Sequence, residues 1–167
     1  PGPTMASADA FTVEVKGEGG HGAMPHLSVD PITAAASILL GMQSLVAREV
    51  PAQETAVLTV GQIVSGTKGN IIPDRAVMKA TIRAFEQSIR DMLIQRLGDF
   101  VAHQARAFRA EARLIMDGGS CPAVVNHAKE TDFVHRCAAT AIDEAAVVEG
   151  GRVMASDDMS LFLRERP

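Results

Sequence analysis

The sequence predicts an α+β fold in which a four-stranded antiparallel sheet is covered on one face by two helices. Segments with apolar residues at every second position alternate with segments of helical spacing, and turn residues separate them. Their order is β-α-β-β-α-β, which is the ferredoxin-like arrangement. With 167 residues, 47% of them hydrophobic, the chain is long enough to bury such a core.

A strand, a glycine-rich turn and a helix make up the first part of this pattern. Apolar and polar residues alternate over 11–15 and predict a strand with one buried face. Asp30 followed by Pro31 is a typical helix start, because aspartate caps the first turn and proline fits its first position. Helical spacing then predicts a helix that ends at about Arg48, before Pro51.

Two strands, a helix and a last strand complete the pattern. An apolar run predicts the second strand over 56–64, and alternation predicts the third over 76–85. Residues 65–70 between them are expected to form a loop. Helical spacing over 89–100 predicts the second helix, and alternation over 111–116 predicts the fourth strand.

The residues after the fourth strand differ in character. Glycine, serine and proline interrupt the chain at 117–122, and helical spacing then predicts a helix over 133–142. An apolar run predicts a strand over 145–148, and the residues 156–158 indicate another helix start. Because so short a stretch cannot form its own core, we expect it to belong to a larger domain.

Composition excludes several classes of partner. The net charge is -4, with no Trp and no Tyr, which argues against nucleic acid and against an anionic membrane surface. The chain lacks the ~18 continuous apolar residues of a membrane span. Cys121 and Cys137 form no CxxC pair, so reduced thiols in the cytoplasm are expected. The chain begins at Pro1, and we expect it to be a segment of a longer polypeptide.

A single run contains the most informative residues, Gly17-Glu18-Gly19-Gly20-His21-Gly22-Ala23-Met24-Pro25-His26. It places His21 in a turn where backbone can approach a ligand closely. The glycines match a dinucleotide fingerprint, but Pro25 argues against the helix that this fingerprint needs at its third glycine. A metal site formed by His21 and His26 lacks a third ligand in a matching frame. An isolated loop histidine otherwise hydrogen bonds to backbone.

Several further motifs follow this run in one order: Asp30-Pro31-Ile32, Arg48-Glu49-Val50, Gly69-Asn70-Ile71-Ile72-Pro73-Asp74, Thr81-Ile82-Arg83-Ala84-Phe85 and Ser156-Asp157-Asp158. With these motifs the chain resembles, over nearly its whole length, the dinuclear-metal amidohydrolase and carboxypeptidase family. That family includes hippurate hydrolase, the auxin-conjugate hydrolases, aminoacylases and glutamate carboxypeptidase. The hippurate-hydrolase branch is the most similar.

The resemblance implies a division of the chain and three site residues. Residues 11–117 correspond to a lid that is also the usual dimerisation surface, whereas 1–10 and 118–167 correspond to pieces of an α/β zinc-peptidase-like catalytic domain. The catalytic histidine of the family, which acts in the partner subunit's active site, falls on His21. Its catalytic asparagine falls on Asn70, and the arginine that binds the substrate carboxylate falls on Arg83.

The residue types suit these roles. An imidazole N–H and an amide N–H can stabilise an oxyanion, and a guanidinium matches a carboxylate. Arg83 is predicted on the sheet face opposite the core, free to meet a ligand. On the residues alone, a turn-forming Asn70 and an Arg83 paired with a surface carboxylate stay open.

The resemblance also implies a cofactor that the chain does not itself bind. Family members hold two divalent metal ions (Zn, Mn, Co or Ni) on segments that are absent here, so we expect no metal ligand in this chain and no activity from it alone. The branch usually has Ser-Glu-Asp-Phe where this chain has residues 156–159. Asp157 and Asp158 are expected to cap a helix. His103, His127 and His135 are expected to be surface or packing residues without partners.

The expected function is cleavage of the amide bond of an N-acyl or N-aroyl amino acid by a homodimeric metal-dependent amidohydrolase. The main alternative is a dimerisation or interaction module that uses an edge strand over 56–64 or the helix over 32–46. A regulatory module that binds a small molecule is a third possibility. Substitution of His21 and Arg83 distinguishes the enzyme from the interaction module, because only the enzyme requires them.

Overall fold

The four predicted strands form one antiparallel sheet in a computed structural model that describes residues 1–148 and 150–166. Within these residues the elements are β1 (Gly2–Met5), β2 (Asp9–Lys16), β3 (Gly20–His21), α1 (Pro31–Glu49), β4 (Ala56–Ser65), β5 (Ile71–Ile72), β6 (Arg75–Ala84), α2 (Gln87–Ala107), β7 (Glu111–Met116), β8 (Val124–Asn126), α3 (Ala128–Ala141) and α4 (Met159–Glu165). Short 3-10 turns lie at Pro25–Leu27 and Glu144–Ala146.

The order of strands across the main sheet is β4-β6-β2-β7. β2 is central and pairs with β6 on one side and β7 on the other, so that Phe11 lies opposite Ala80 and Met116. β4 pairs with β6 and forms an edge of the sheet, with an irregularity between Val60 and Gln62. This order and the two helices confirm the predicted α+β, ferredoxin-like class.

The core lies between one sheet face and the two helices. Alternate residues of β2 and β6 are fully buried, whereas their neighbours are at least partly exposed. α1 and α2 contribute apolar residues at helical spacing to the same cluster. The buried residues that form it include Phe11, Val13, Val15, Ile38, Met42, Leu45, Met78, Ile82, Leu93, Leu97 and Val101. One sheet face is therefore covered, as the alternation predicts.

Several predicted boundaries differ from the observed ones by a few residues. The third strand of the pattern, β6, begins at Arg75 and ends at Ala84, so Phe85 lies outside it. The second helix, α2, is longer than the predicted 89–100 and continues to Ala107, because Ala105 also packs in the core. A small residue such as alanine contributes little to an apolar periodicity, and the sequence pattern therefore ends too early.

The two ends of the chain pack together beside the sheet. β1 pairs with β8, and Met5 forms a parallel bridge with Val153. The predicted helix over 133–142 is observed as α3, which begins five residues earlier and ends one residue earlier. α4 begins at Met159, whose amide donates a hydrogen bond to the Asp157 carboxylate at 2.9 Å, so Asp157 caps the helix as predicted. Asp158 occupies the N-cap position without a side-chain bond to the helix.

The predicted strand over 145–148 is wrong. A 3-10 turn occupies Glu144–Ala146, and Val148 is 77% exposed. A strand needs a hydrogen-bonded neighbour, and among the described residues none lies beside this run. Apolar composition alone therefore does not produce a strand here.

None of the described helices is long and apolar enough to cross a membrane. Both cysteines, Cys121 and Cys137, are free thiols.

Candidate functional site

His21 lies in a loop that folds back on itself between β2 and α1. Backbone hydrogen bonds join Glu18 and Val29 in both directions, at 2.8 and 2.9 Å, and fix the base of the loop. At its tip the Met24 amide donates to the His21 carbonyl at 2.8 Å. His21 itself is exposed. The loop therefore presents the imidazole to solvent from a fixed base.

Glycine at the base of this loop is required by the protein's own backbone. A Cβ atom on Gly17 would lie 2.1 Å from the Val29 carbonyl oxygen and 2.9 Å from the Pro31 ring. No helix opens at Gly22, where a dinucleotide fingerprint requires one, and the next helical residues form only the turn Pro25–Leu27. Gly17 therefore permits close contact between chain segments. The dinucleotide interpretation of the glycines is wrong.

Asn70 lies next to the His21 loop. β3 and β5 pair antiparallel, with His21 opposite Ile71. Beside this pair the Gly22 amide donates to the Asn70 carbonyl at 2.9 Å. Two predicted site residues that are distant in the sequence are therefore neighbours in the fold.

The backbone also sets the orientation of the His21 ring. The Ala23 amide donates to His21 Nδ1 at 3.1 Å. Since Nδ1 accepts a hydrogen bond, the neutral ring carries its proton on Nε2. His21 Nε2 and the side-chain amide of Asn70 are thus two hydrogen-bond donors on adjacent segments. Donors of this kind stabilise an oxyanion when they lie within reach of it.

Arg83 lies at the other end of β6, next to the segment that contains Met154 and Ser156. Arg83 Nη1 donates to the Met154 carbonyl at 2.9 Å and is 3.4 Å from Ser156 Oγ. Arg83 therefore contacts the protein through one nitrogen, and the expectation that it meets a ligand stays a prediction. Because a guanidinium has five N–H donors, this arginine keeps donors for a carboxylate while the Met154 carbonyl holds one of them.

His21 and Asn70 are far from Arg83 in the same chain. Arg75 and Arg83 are eight residues apart along β6, a length of about 26 Å at the usual rise of a strand. His21 and Asn70 lie beyond the Arg75 end, since Asn70 precedes β5 and β5 precedes β6. The structure thus joins two of the predicted site residues and separates the third from them. A single small ligand cannot contact all three within one chain.

Metal ligation is not supported by the chain's own side chains. Within residues 1–148 and 150–166, no three or more His, Cys, Asp or Glu side chains form a group that could hold a metal ion. His26 is exposed in the 3-10 turn. His103 is exposed, as predicted for a surface residue, but its Nδ1 lies 2.7 Å from the Asp99 carbonyl oxygen, so the expectation that it has no partner is wrong. The described residues do not fit a dinuclear metal centre.

A buried ion pair lies where the chain crosses between the sheet and the terminal segments. Arg90 of α2 donates two hydrogen bonds to the Asp9 carboxylate, at 2.7 and 2.8 Å, and the Ser120 hydroxyl donates a third at 2.6 Å. Burial raises the pKa of Asp9, but the hydrogen bonds and the charge of Arg90 outweigh this effect and lower it. The pKa of Arg90 is raised, chiefly by its hydrogen bond to Asp9.

The chain passes between the main sheet and the terminal segments twice, once on each side of residues 11–117, and backbone hydrogen bonds join these two crossings. Ala8 and Cys121 exchange hydrogen bonds of 2.9 and 3.0 Å, and the Asp117 amide donates to the Ala10 carbonyl at 3.0 Å. We call these residues, 8–10 and 117–121, the joint. Together with the ion pair, these bonds hold both crossings against α2.

Two groups near the site are not marked by any sequence pattern. The Met154 carbonyl is a backbone group, so no residue type marks it. Arg109, just after α2, donates from Nη2 to the Ser28 carbonyl at 2.9 Å and supports the His21 loop. Only the backbone conformation singles out Arg109, because it is the one described non-glycine residue with a positive φ, 61°.

Comparison with known proteins identifies the family. The sequence pattern of the peptidase dimerisation domain family matches residues 6–109. These residues include all three predicted site residues. The N-acetyl-L-cysteine deacetylase of Bacillus subtilis is 33% identical over 166 residues, covering 99% of this chain and 39% of that protein. The hippurate hydrolase of Campylobacter jejuni is 33% identical over 162 residues, covering 96% of this chain and 42% of that protein. The chain spans about two fifths of the length of these relatives.

Solved structures agree with this fold. An aminohydrolase structure from methicillin-resistant Staphylococcus aureus superposes with a TM-score of 0.88 at 23% identity, covering 100% of this chain and 43% of that one. A Bacillus subtilis protein described as a dinuclear metal-binding peptidase of the M20 family superposes with a TM-score of 0.79 at 26% identity. The match covers 99% of this chain and 40% of that one. The chain therefore belongs to the M20 family of peptidases and amidohydrolases and contains the peptidase dimerisation domain of that family.

Proposed function

We propose that this chain is part of a metal-dependent amidohydrolase that cleaves the amide bond of N-acyl or N-aroyl amino acids. Family membership supports hydrolysis, and the names of two relatives, hippurate hydrolase and N-acetyl-L-cysteine deacetylase, support this substrate class. In this proposal residues 11–117 form the lid, and residues 1–10 and 118–167 belong to the catalytic domain. The free thiols support a cytoplasmic location.

The separation of His21 and Asn70 from Arg83 is the observation that carries the proposal. About 26 Å of strand lies between the two groups, so one chain cannot place both on one small substrate. A homodimer resolves this, because two copies related by symmetry can each supply one group to a shared site. We propose that His21 and Asn70 of one subunit act on the substrate that Arg83 of the other subunit binds.

Each residue has a distinct task in this site. Arg83 pairs with the substrate carboxylate, and the bond to the Met154 carbonyl orients its guanidinium. His21 Nε2 and the Asn70 amide donate hydrogen bonds to the oxygen of the scissile carbonyl as negative charge develops on it. Because Ala23 holds Nδ1, the ring is ready to donate from Nε2 without rearrangement.

The two divalent metal ions of this proposal belong to residues outside the chain. Within the part of the chain that the structure describes, the side chains do not form a metal site, so we assign no step of the reaction to a metal held by them.

The first experiment measures hydrolysis of a panel of N-acetyl and N-benzoyl amino acids by the longer protein that carries this chain, with added Mn²⁺, Zn²⁺ or Co²⁺. We expect His21→Ala and Asn70→Ala each to lower kcat by about a hundredfold or more, as loss of one oxyanion donor does. Arg83→Ala is expected to act mainly on KM. Undiminished activity in all three variants contradicts the proposed roles.

Mixing variants tests the shared site. A dimer of one His21→Ala subunit and one Arg83→Ala subunit contains one site with both residues intact if the site is shared between subunits. At a substrate concentration far below KM, where the Arg83→Ala dimer is also nearly inactive, random reassortment then restores about a quarter of the wild-type activity, because half of the dimers are mixed and each has one complete site. If both residues act within one subunit, mixing restores nothing. His21→Ala mixed with His21→Ala is the matched control.

A dimerisation module without catalysis is the second candidate function. It is favoured by the edge strand β4, on which Ile63 is 48% and Val64 is 57% exposed. Such a module tolerates His21→Ala and Arg83→Ala, since neither residue lies on β4. Full function of the longer protein with His21→Ala and Arg83→Ala favours this second candidate.

A further inference from the structure

Arg109 follows α2 in a backbone conformation that an arginine rarely adopts. Its φ is 61°, in the left-handed region that favours glycine. The Arg109 amide donates to the Arg106 carbonyl and the Ala110 amide to the Ala105 carbonyl, both at 3.0 Å. These two bonds define the usual helix C-terminus in which glycine is the preferred residue at this position. The backbone alone therefore gives no reason for an arginine here.

The side chain of Arg109 gives such a reason, because its Nη2 donates to the Ser28 carbonyl at 2.9 Å. Ser28 is 2% exposed. A buried carbonyl needs a hydrogen-bond partner, and this guanidinium supplies one from a different element of the fold.

Ser28 in turn supports the segment that carries His21. Its amide and its hydroxyl both donate to the Pro25 carbonyl at 3.2 Å. On its other side it packs against Gly20, where an added Cβ would lie 3.1 Å from the Ser28 Cβ. Gly20 directly precedes His21. A continuous set of contacts therefore runs from the guanidinium to the backbone of the proposed oxyanion donor.

We propose that Arg109 is a positioning residue that holds the His21 loop in the geometry needed for catalysis. The proposal rests on the proposed function of His21. Arg109 does not touch the substrate; it fixes Ser28, and Ser28 fixes the two sides of the loop. Displacement of a catalytic group by about 1 Å can lower a rate by about a hundredfold, so the support of the loop matters for the rate.

Arg109→Gly separates this role from helix stability. Glycine adopts a positive φ readily, so the helix C-terminus is retained or improved while the guanidinium is lost. The matched control is Arg106→Gln, which removes the same charge one turn earlier from an exposed position. Both variants are made in the longer protein that carries this chain, and thermal unfolding establishes that both fold.

Two measurements test the proposal. Amide hydrogen exchange at Glu18 and Val29 reports the base of the loop, and we expect Arg109→Gly to accelerate it about fivefold or more, as loss of one hydrogen bond predicts. Steady-state kinetics with the best N-acyl amino acid should show kcat reduced by about tenfold or more with KM little changed, since Arg83 binds the carboxylate. Arg106→Gln should change neither quantity.

Unchanged amide exchange in Arg109→Gly overturns the proposal, because the loop then does not depend on the guanidinium. Faster exchange with unchanged kcat also overturns it, because the support then has no catalytic consequence. His21→Ala in the same assay distinguishes these results from failure of the proposed function: if His21→Ala is inactive while Arg109→Gly keeps full kcat, only the positioning role is wrong. If His21→Ala is fully active, the proposed function itself is wrong.

Discussion

Gly41 of α1 lies against the aromatic ring of Phe100 of α2. A Cβ atom on Gly41 would lie 2.5 Å from Phe100 Cζ and 3.2 Å from Cε1. The absence of a side chain at Gly41 lets the two helices approach closely over the sheet.

Gly41→Ala should therefore destabilise the protein although alanine favours helices. Overpacking costs about 1–3 kcal/mol, and the better helix propensity returns about 1 kcal/mol, so we expect a net loss of about 1 kcal/mol in the free energy of unfolding. Urea denaturation measures it. Gly98→Ala in α2 is the control, because its Cβ meets only Leu114 Cδ2, at 4.0 Å; it should stabilise by about 0.5–1 kcal/mol. Equal effects of the two substitutions contradict the role of the Phe100 contact.

Gly22→Ala should disturb the contact between the segments of His21 and Asn70. The added Cβ would lie 3.0 Å from the Asn70 carbonyl oxygen and 3.1 Å from its carbonyl carbon, and backbone atoms cannot rotate away as a side chain can. We expect kcat to fall by about tenfold or more while thermal unfolding changes little, because the loop is exposed. Gly69→Ala is the matched control, since nothing lies within 4 Å of its added Cβ. Equal kinetics for both variants speak against a shared His21 and Asn70 geometry.

Asp9 should make stability depend on pH below about 4. Its folded pKa is lowered from the ordinary value of 3.8, so its contribution is fully present above that pH and is lost as the pH falls through the folded pKa. At neutral pH Asp9→Asn should cost roughly 3 kcal/mol, because it leaves Arg90 largely buried without its counter-charge.

Urea titrations from pH 7 to pH 2.5 test this dependence. The difference between wild type and Asp9→Asn should shrink as the pH falls below 3.8. Glu49→Gln is the control, because the Glu49 and Arg96 side chains form an ion pair in solvent and such pairs contribute little. A difference that stays constant over the whole range refutes the contribution of the Asp9 charge.

Asp30 should stabilise the start of α1. Its carboxylate accepts hydrogen bonds from the Ile32 amide at 2.8 Å and from the Thr33 hydroxyl at 2.6 Å. We expect Asp30→Ala to lower the free energy of unfolding by about 1 kcal/mol and Asp30→Asn to lower it by much less, because asparagine is an equally good cap. Thermal unfolding of both variants measures this. A full loss in Asp30→Asn as well would indicate that the charge, and not the cap, is responsible.

The sequence predicts the sheet and its helices well because they have clear periodicities. Phe11, Val13 and Val15 alternate over one buried face, and Asp30 with Pro31 marks the start of α1 at the observed residue. Two-residue strands such as β3 and β5 are too short to show any period, so the contact between the His21 and Asn70 segments follows only from the structure.

Contacts between distant segments limited the prediction of the site. The sequence places Arg83 on the correct face, but its partner Met154 is distant in the chain and acts through its carbonyl. No pattern of side chains encodes such a contact. The roles of His21, Asn70 and Arg83 in a shared site stay predictions until the variants are mixed.

The joint affects how the residues between its two stretches can differ among related proteins. Since Ala8 and Cys121 exchange two backbone hydrogen bonds, the residues between them leave and return at nearly one point in space. Insertions between these two residues that keep the pair leave the two ends of the inserted stretch at the same separation. A chimaera in which these residues are replaced by the corresponding stretch of a relative has to keep this pair and also the contacts that Ala84 and Arg83 make with Ser7 and Met154.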